Sequence, residues 1–183
     1  MPTLVHDFDW PDRFVVGTIG EPGARTFYLQ ARAGAKLTSF VMEKQQSAEL
    51  ANKIDEVLDD LIEIAGNPYS VPTSIPVELV DNEPLEPVEE QFRIGIMSLG
   101  WDPSSAQIII EAYPIVEVDP EDESSLEKSF EEPSEVLRVR IPVGAARAFA
   151  KRTREVVGAG RPLCPLCGFP MDPSGNICGT PEV

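Results

Sequence analysis

The sequence predicts an α+β fold: two β-β-β-α repeats forming an antiparallel sheet with two helices on one face, followed by a short zinc-ribbon-like C-terminal tail. Three observations carry this reading. Several short segments alternate apolar and polar residues with period two, the signature of half-buried strands. Two longer segments space apolar residues for one helical stripe. The order strand, strand, strand, helix occurs twice before all three cysteines gather in the last 20 residues.

The first copy begins with FVVGTI at 14–19 and TFYLQAR at 26–32, joined by Gly20-Glu21-Pro22-Gly23, which has hairpin chemistry. Phe27, Leu29 and Ala31 alternate with Tyr28, Gln30 and Arg32, so one face meets a core. Gly34 turns the chain into a third strand near 36–42. A helix follows, with Ser47 as the expected cap and Leu50, Ile54, Val57, Leu58, Leu61 and Ile62 as its apolar stripe; Gly66 and Pro68 stop it.

The second copy opens on Phe92-Arg93-Ile94-Gly95, which echoes Phe14-Val15-Val16-Gly17 in pattern. Strands are expected at 107–113 (QIIIEAY), after a Trp101-Asp102-Pro103-Ser104 turn, and at 136–141, where Leu137, Val139 and Ile141 face inward. Pro142 suits the first turn of a helix over roughly 143–157, with Ala145, Ala146, Phe149, Val156 and Val157 buried and Gly158 and Gly160 releasing the chain. The organisation is therefore an N-terminal arm (1–12), repeat 1 (13–66), an acidic Pro-rich linker (67–91), repeat 2 (92–160) with an acidic insertion (117–135), and the cysteine tail (161–183). A pseudo-twofold axis is expected to relate the repeats.

Charge is concentrated. Of the formal net charge of −16, residues 78–90 supply −6 and residues 117–135 supply −8, leaving −2 elsewhere. These Pro- and Ser-rich runs read as solvated loops. Helix one carries six acids against Lys53, and helix two carries Arg147, Lys151, Arg152 and Arg154 against Glu155. The two could attract, but exposed pairs contribute little, so both polar faces are expected to meet water. Apolar runs such as Ile108 to Ile110 fall far short of the roughly 20 residues a spanning helix needs, and the N-terminus has no basic, then apolar, leader. A cytoplasmic protein is expected, with a protein partner, no membrane, and nucleic acid opposed by the overall charge.

In the tail, Cys164-Pro165-Leu166-Cys167-Gly168 lets two thiolates reach one metal from a tight turn, and Cys178, between Gly175 and Gly179, supplies a third. Zinc is the expected cofactor. A closed site takes four ligands, and Asp172 or the single histidine, His6, are candidate fourth ligands, beside Glu182, the terminal carboxylate and a water. Cys-Pro-Leu-Cys also resembles the C-P-Y-C of glutaredoxins, but Gly-Phe-Pro-Met-Asp-Pro-Ser-Gly follows and cannot form the helix that would activate the first thiol.

No P-loop, nucleophile elbow, HExxH or paired-carboxylate motif is present. His6-Asp7-Phe8-Asp9 offers an imidazole beside carboxylates but reads as a polar arm, and Trp10 and Trp101 are expected to pack at strand ends. The expected function is a non-enzymatic adaptor or regulator with a zinc-binding tail. The alternative is an enzyme acting on a phosphorylated or thiol-containing small molecule in the cleft between repeats, with Arg138, Arg140 and Arg32 as anion-binding candidates.

His6-Asp7-Phe8-Asp9, DRFVVGTIGEPGARTFYLQAR from Asp12, Glu43-Lys44-Gln45-Gln46, Asp81-Asn82-Glu83-Pro84, Phe92-Arg93-Ile94-Gly95, Leu137-Arg138-Val139-Arg140 and GRPLCPLCG from Gly160 together carry a family resemblance. The chain resembles, over essentially its whole length, the actinobacterial domain of unknown function 3090 family. That resemblance implies no assigned reaction. It implies a genomic context near a kinase-like protein, a histidine-phosphatase-like protein and the ligase of mycothiol synthesis, which is association rather than mechanism. The family pattern closes the tail with a His-x-Cys step; Asn176-Ile177-Cys178 here removes that fourth ligand.

Overall fold

The computed structural model describes residues 3–159, apart from 22 and, within 117–132, all but 121 and 123. The tail from 160 onward, with Cys164, Cys167, Asp172 and Cys178, lies outside the described residues. Among the described residues, seven strands, β1 (Leu4–Asp9), β2 (Arg13–Ile19), β3 (Thr26–Ala33), β4 (Lys36–Met42), β5 (Glu90–Asp102), β6 (Gln107–Pro114) and β7 (Glu135–Pro142), accompany the α-helices α1 (Lys44–Glu63) and α2 (Val143–Gly158). One continuous sheet runs in the order β1-β7-β6-β5-β4-β3-β2. No helix among the described residues is long and apolar enough to cross a membrane.

The sheet is mixed rather than antiparallel, because β4 pairs with β5, and β1 with β7, in parallel. Helix α1 and the linker after it carry the chain back to the end where β4 began, so β5 must run alongside β4 in the same direction. At both seams the last strand of one half meets the first of the other in parallel, β4 against β5 and β7 against β1.

Residues 4–9, expected as an arm, are an edge strand. Strands β1 and β2 stand at opposite ends of the strand order, yet only residues 10–12 separate them. Four peptide steps reach at most about 14 Å, while a flat seven-stranded sheet is about 29 Å across at the usual strand spacing. The sheet therefore folds over on itself, and β1–β2 acts as one strand bent at Trp10, whose φ is +56°. Its first half pairs with β7 and its second with β3. Long β5 forms the opposite corner: Glu90 and Arg93 pair with β4, Ile94–Asp102 pair with β6, and the register shifts between Ile94 and Met97. Such corners let a strand pass between two crossed layers. Gly95 is needed there, since a Cβ would lie 2.9 Å from the Ile115 Cα.

The alternation is present on β6 and β7, whereas β3 is buried on both faces, since Tyr28 and Gln30, expected outward, lie under the linker that follows α1. Leu29, Ile108, Ile110, Leu137 and Val139 are fully buried in a single core with Leu50, Ile54 and Leu58 of α1 and Ala146, Phe149 and Ala150 of α2. Helix α1 starts earlier than Ser47: Glu43 is the N-cap and exchanges hydrogen bonds with Gln46 in a capping box, while Ser47 is buried and donates to the Glu43 carbonyl.

The two helices pack against each other, and Arg147 and Arg154 of α2 meet Asp55 and Asp59 of α1 rather than water alone, while Glu49, Lys53, Glu56, Asp60 and Glu63 stay exposed as expected. Arg147 reaches Asp55 at 2.7 Å and Asp59 at 2.9 Å and donates to the Pro72 carbonyl; Arg154 also bonds Asp55. Burial opposes the Arg147 charge, but hydrogen bonds to Asp59 and Asp55 raise its pKa above the ordinary value.

Candidate arginine cleft

On β2 and β3, Arg13 and Arg32 are direct cross-strand partners on the sheet face away from the helices. Like charges placed opposite one another are unfavourable, so this face needs carboxylates. They come from the acidic linker, which crosses the face as a strap over residues 78–86, leaving the short 3-10 helix Val77–Leu79 and continuing without helix or strand from Val80 on. Arg13 forks onto Asp81, Nε to Oδ2 at 2.7 Å and Nη2 to Oδ1 at 3.1 Å, and its Nη2 also donates to the carbonyls of Glu83 and Pro84. Arg32 pairs with Glu86 at 3.1 Å. Expected from sequence as a solvated loop, this stretch is held by the sheet.

Three further contacts fix the strap. Gln30, 1% exposed, uses its amide on the main chain of Glu86, donating from Nε2 to the carbonyl at 3.0 Å and accepting the N–H on Oε1 at 2.9 Å. Leu85 sits over Gly17, where a Cβ would come within 2.5 Å of it. From the other side, Arg152 of α2 donates Nε to the Val16 carbonyl and Nη1 to the Asp81 carbonyl at 2.7 Å and its Oδ1 at 3.2 Å. Asp81 thus bridges two guanidiniums.

Electrostatics follow from that geometry. The hydrogen bond from Arg13 holds the Asp81 carboxyl below its ordinary pKa, and Arg13 is raised in return. Burial lowers Arg152; Asp81 opposes this and repulsion from Arg13 adds to it. Because the folded Asp81 pKa is depressed, its contribution is present above the unfolded value and is lost as pH falls through the folded one. Amide exchange at Glu83, whose N–H donates to Asp81 Oδ1, is expected to lose protection relative to α1 below about pH 4. Asp81→Asn should lose that protection at neutral pH, and unchanged protection in the variant would show the strap to be held elsewhere.

Between β2, α2 and the strap lies a cavity of about 880 Å³. Trp10, 66% exposed, stands at its lip, and the Phe14 and Phe149 rings, stacked with centroids 4.4 Å apart, form its wall. Trp101, in contrast, packs edge-on against Tyr69 as expected for a strand end.

The arginines proposed from sequence do not assemble. Arg32 lines this cavity, but Arg138 and Arg140 lie on β7 and do not; Arg138 pairs with Glu111 of β6. In their place the fold brings Arg13 and Arg152 to Arg32. The Arg13 and Arg32 register was readable from the hairpin, whereas Arg152 stood out only as one of the four basic residues of helix two, with nothing to tie it to β2 or the linker. His6 is buried on β1, its Nε2 2.8 Å from Glu135 Oε2 and its ring against Phe40 and Phe92. Among the described residues no group of three or more His, Cys, Asp or Glu is placed to hold a metal.

A family pattern described as protein of unknown function, DUF3090, matches residues 6–178. The chain belongs to the DUF3090 family. Its match begins at His6 and takes in both halves of the sheet, the strap and the cysteine segment. No curated protein and no solved structure matches this DUF3090 chain.

Proposed function

We propose that this protein is a non-enzymatic adaptor that docks a partner protein at the mouth of the arginine cleft and carries a zinc-organised tail. The observation that carries the reading is Trp10: an indole 66% exposed, at φ +56°, beside an arginine-lined cavity. A left-handed backbone at a bulky residue is strained, and here the strain presents a large apolar ring at the cavity that Arg13 and Arg152 also line. Tryptophan and arginine are the side chains that dominate binding hot spots. The cavity is lined by guanidiniums, carboxylates and apolar groups, which supports recognition over bond-breaking chemistry.

In the tail, Cys164, Cys167 and Cys178 are proposed zinc ligands, with Asp172 completing the shell because His6 is engaged by Glu135. Reduced thiols holding a metal fit a cytoplasmic setting. Metal analysis of protein prepared without chelator is expected to give about one zinc per chain, lost in Cys164→Ser/Cys167→Ser; no zinc in the wild type would remove the tail from the proposal. For docking, partner retention by the intact chain should be lost with Trp10→Ala while the melting temperature holds. Retention unaffected by both Trp10→Ala and deletion of residues 161–183 would refute the adaptor reading.

A further inference from the structure

We infer that the strap is an internal ligand, and that the sheet face beneath it is a groove for an acidic, extended segment of a partner protein. This deepens the adaptor reading and rests on it. The strap is held as a bound peptide would be. Gln30 clamps the N–H and carbonyl of one strap residue, Arg13 takes two strap carbonyls, Leu85 fills the space over Gly17, and two acidic side chains meet three guanidiniums. Main-chain bonds of this kind bind any extended segment, and the side-chain sites select acids at the Asp81 and Glu86 positions with an apolar residue just before the second.

Its packing is that of a removable part. Cavities of about 880, 380 and 180 Å³ flank the strap, and all three are lined by Asp81, Asn82 and Arg152. Val77, Leu79 and Val80, at the start of the strap, are exposed, so few apolar contacts hold it there. Glu86 Oε2 is buried with no hydrogen-bond partner, Arg13 Nη1 approaching it only to 3.9 Å, so that the bound state carries part of a desolvation cost. Segments retained mainly by part-exposed polar contacts open at the low end of a protein's stability range. With the strap lifted, Arg13, Arg32 and Arg152 would face the groove without their carboxylates. Charge complementarity then points to a partner segment of the strap's own character.

The test uses the full chain and a synthetic peptide of residues 79–88. A tethered strap acts at an effective concentration on the order of millimolar, so wild type should bind the peptide only weakly. Asp81→Asn/Leu85→Ala, which loosens the strap, should bind at least about tenfold tighter. Binding should weaken with salt and vanish with a peptide whose Asp and Glu residues are replaced by Asn and Gln, or on adding Gln30→Ala. A folded double variant that binds no tighter than wild type overturns the inference. Should that variant not fold, excess peptide added to wild type must accelerate exchange of the Glu86 amide, and no acceleration overturns it equally. Failure here with Trp10→Ala still releasing the partner would leave the adaptor standing, its docking confined to the cleft mouth.

Discussion

Arg147→Ala is expected to be among the most damaging single changes, costing about 3–5 kcal/mol. Its side chain is 12% exposed and that of Asp55 is 9% exposed, so removal strands a buried carboxylate between the helices. Arg154 also bonds Asp55, but is half exposed and holds it less firmly. The Asp59 contact adds little, since that side chain is 68% exposed. Arg147→Lys should recover only part of the loss, because an ammonium cannot hold Asp55, Asp59 and the Pro72 carbonyl in one planar fork. Arg147→Met with Asp55→Leu should recover most of it, as apolar replacement of a buried pair is often neutral or better. Urea unfolding of the four proteins decides this. A loss under about 1 kcal/mol for Arg147→Ala would mean that the helices are held by their apolar stripe alone.

Phe40→Ala is expected to cost a similar amount, about 3–5 kcal/mol. Phe40 is 0% exposed on β4, and its ring meets His6 of β1 edge-on at 5.8 Å and Phe92 of β5 at 4.7 Å. It therefore joins both corners of the folded-over sheet. Beyond global stability, the variant should free β1, which has only β7 beside it in the sheet; faster amide exchange at Val5 to Phe8 than on β6 would show this. Uniform exchange across the sheet would mean that β1 is held by its pairing with β7 and not by the aromatic cluster.

What the sequence revealed was local. Alternation placed β6 and β7 because each buries one face, while β3, placed the same way, is covered on its second face by the strap; the spacing from Leu50 to Leu61 placed α1 because its stripe meets a core. What it concealed depends on partners far along the chain. The strap looked like a solvated loop because its binding groups, Arg13, Gln30, Arg32 and Arg152, lie 54 to 71 residues away in sequence. Helix pairing was hidden likewise: Asp55 and Arg147 are separated by 92 positions, and charge alone could not say whether they would meet each other or water. Strand β1 read as an arm because its inward residues are only His6 and Phe8, too short an alternation to declare a strand. The bend at Trp10 was illegible, since a left-handed conformation there has neither glycine nor asparagine to announce it. Glu43 was passed over as a cap because Ser47, four residues on, is the residue type that usually fills that role.

The pairing of Leu4 with Glu135, through to Asp9 with Arg140, has a consequence for how the chain is made. Synthesis is vectorial, at about 5–20 residues per second, so β1 waits for β7 to be made before it has its hydrogen-bonding neighbour. For roughly 6 to 25 seconds at those rates, β1 is without the strand that pairs with it. Strands that must wait for so distant a mate fold late and are the segments through which nascent chains associate wrongly. The acidic residues Asp7 and Asp9, interleaved with the inward-facing ones on that strand, act as gatekeepers during the delay, keeping an unpaired edge soluble until its template emerges.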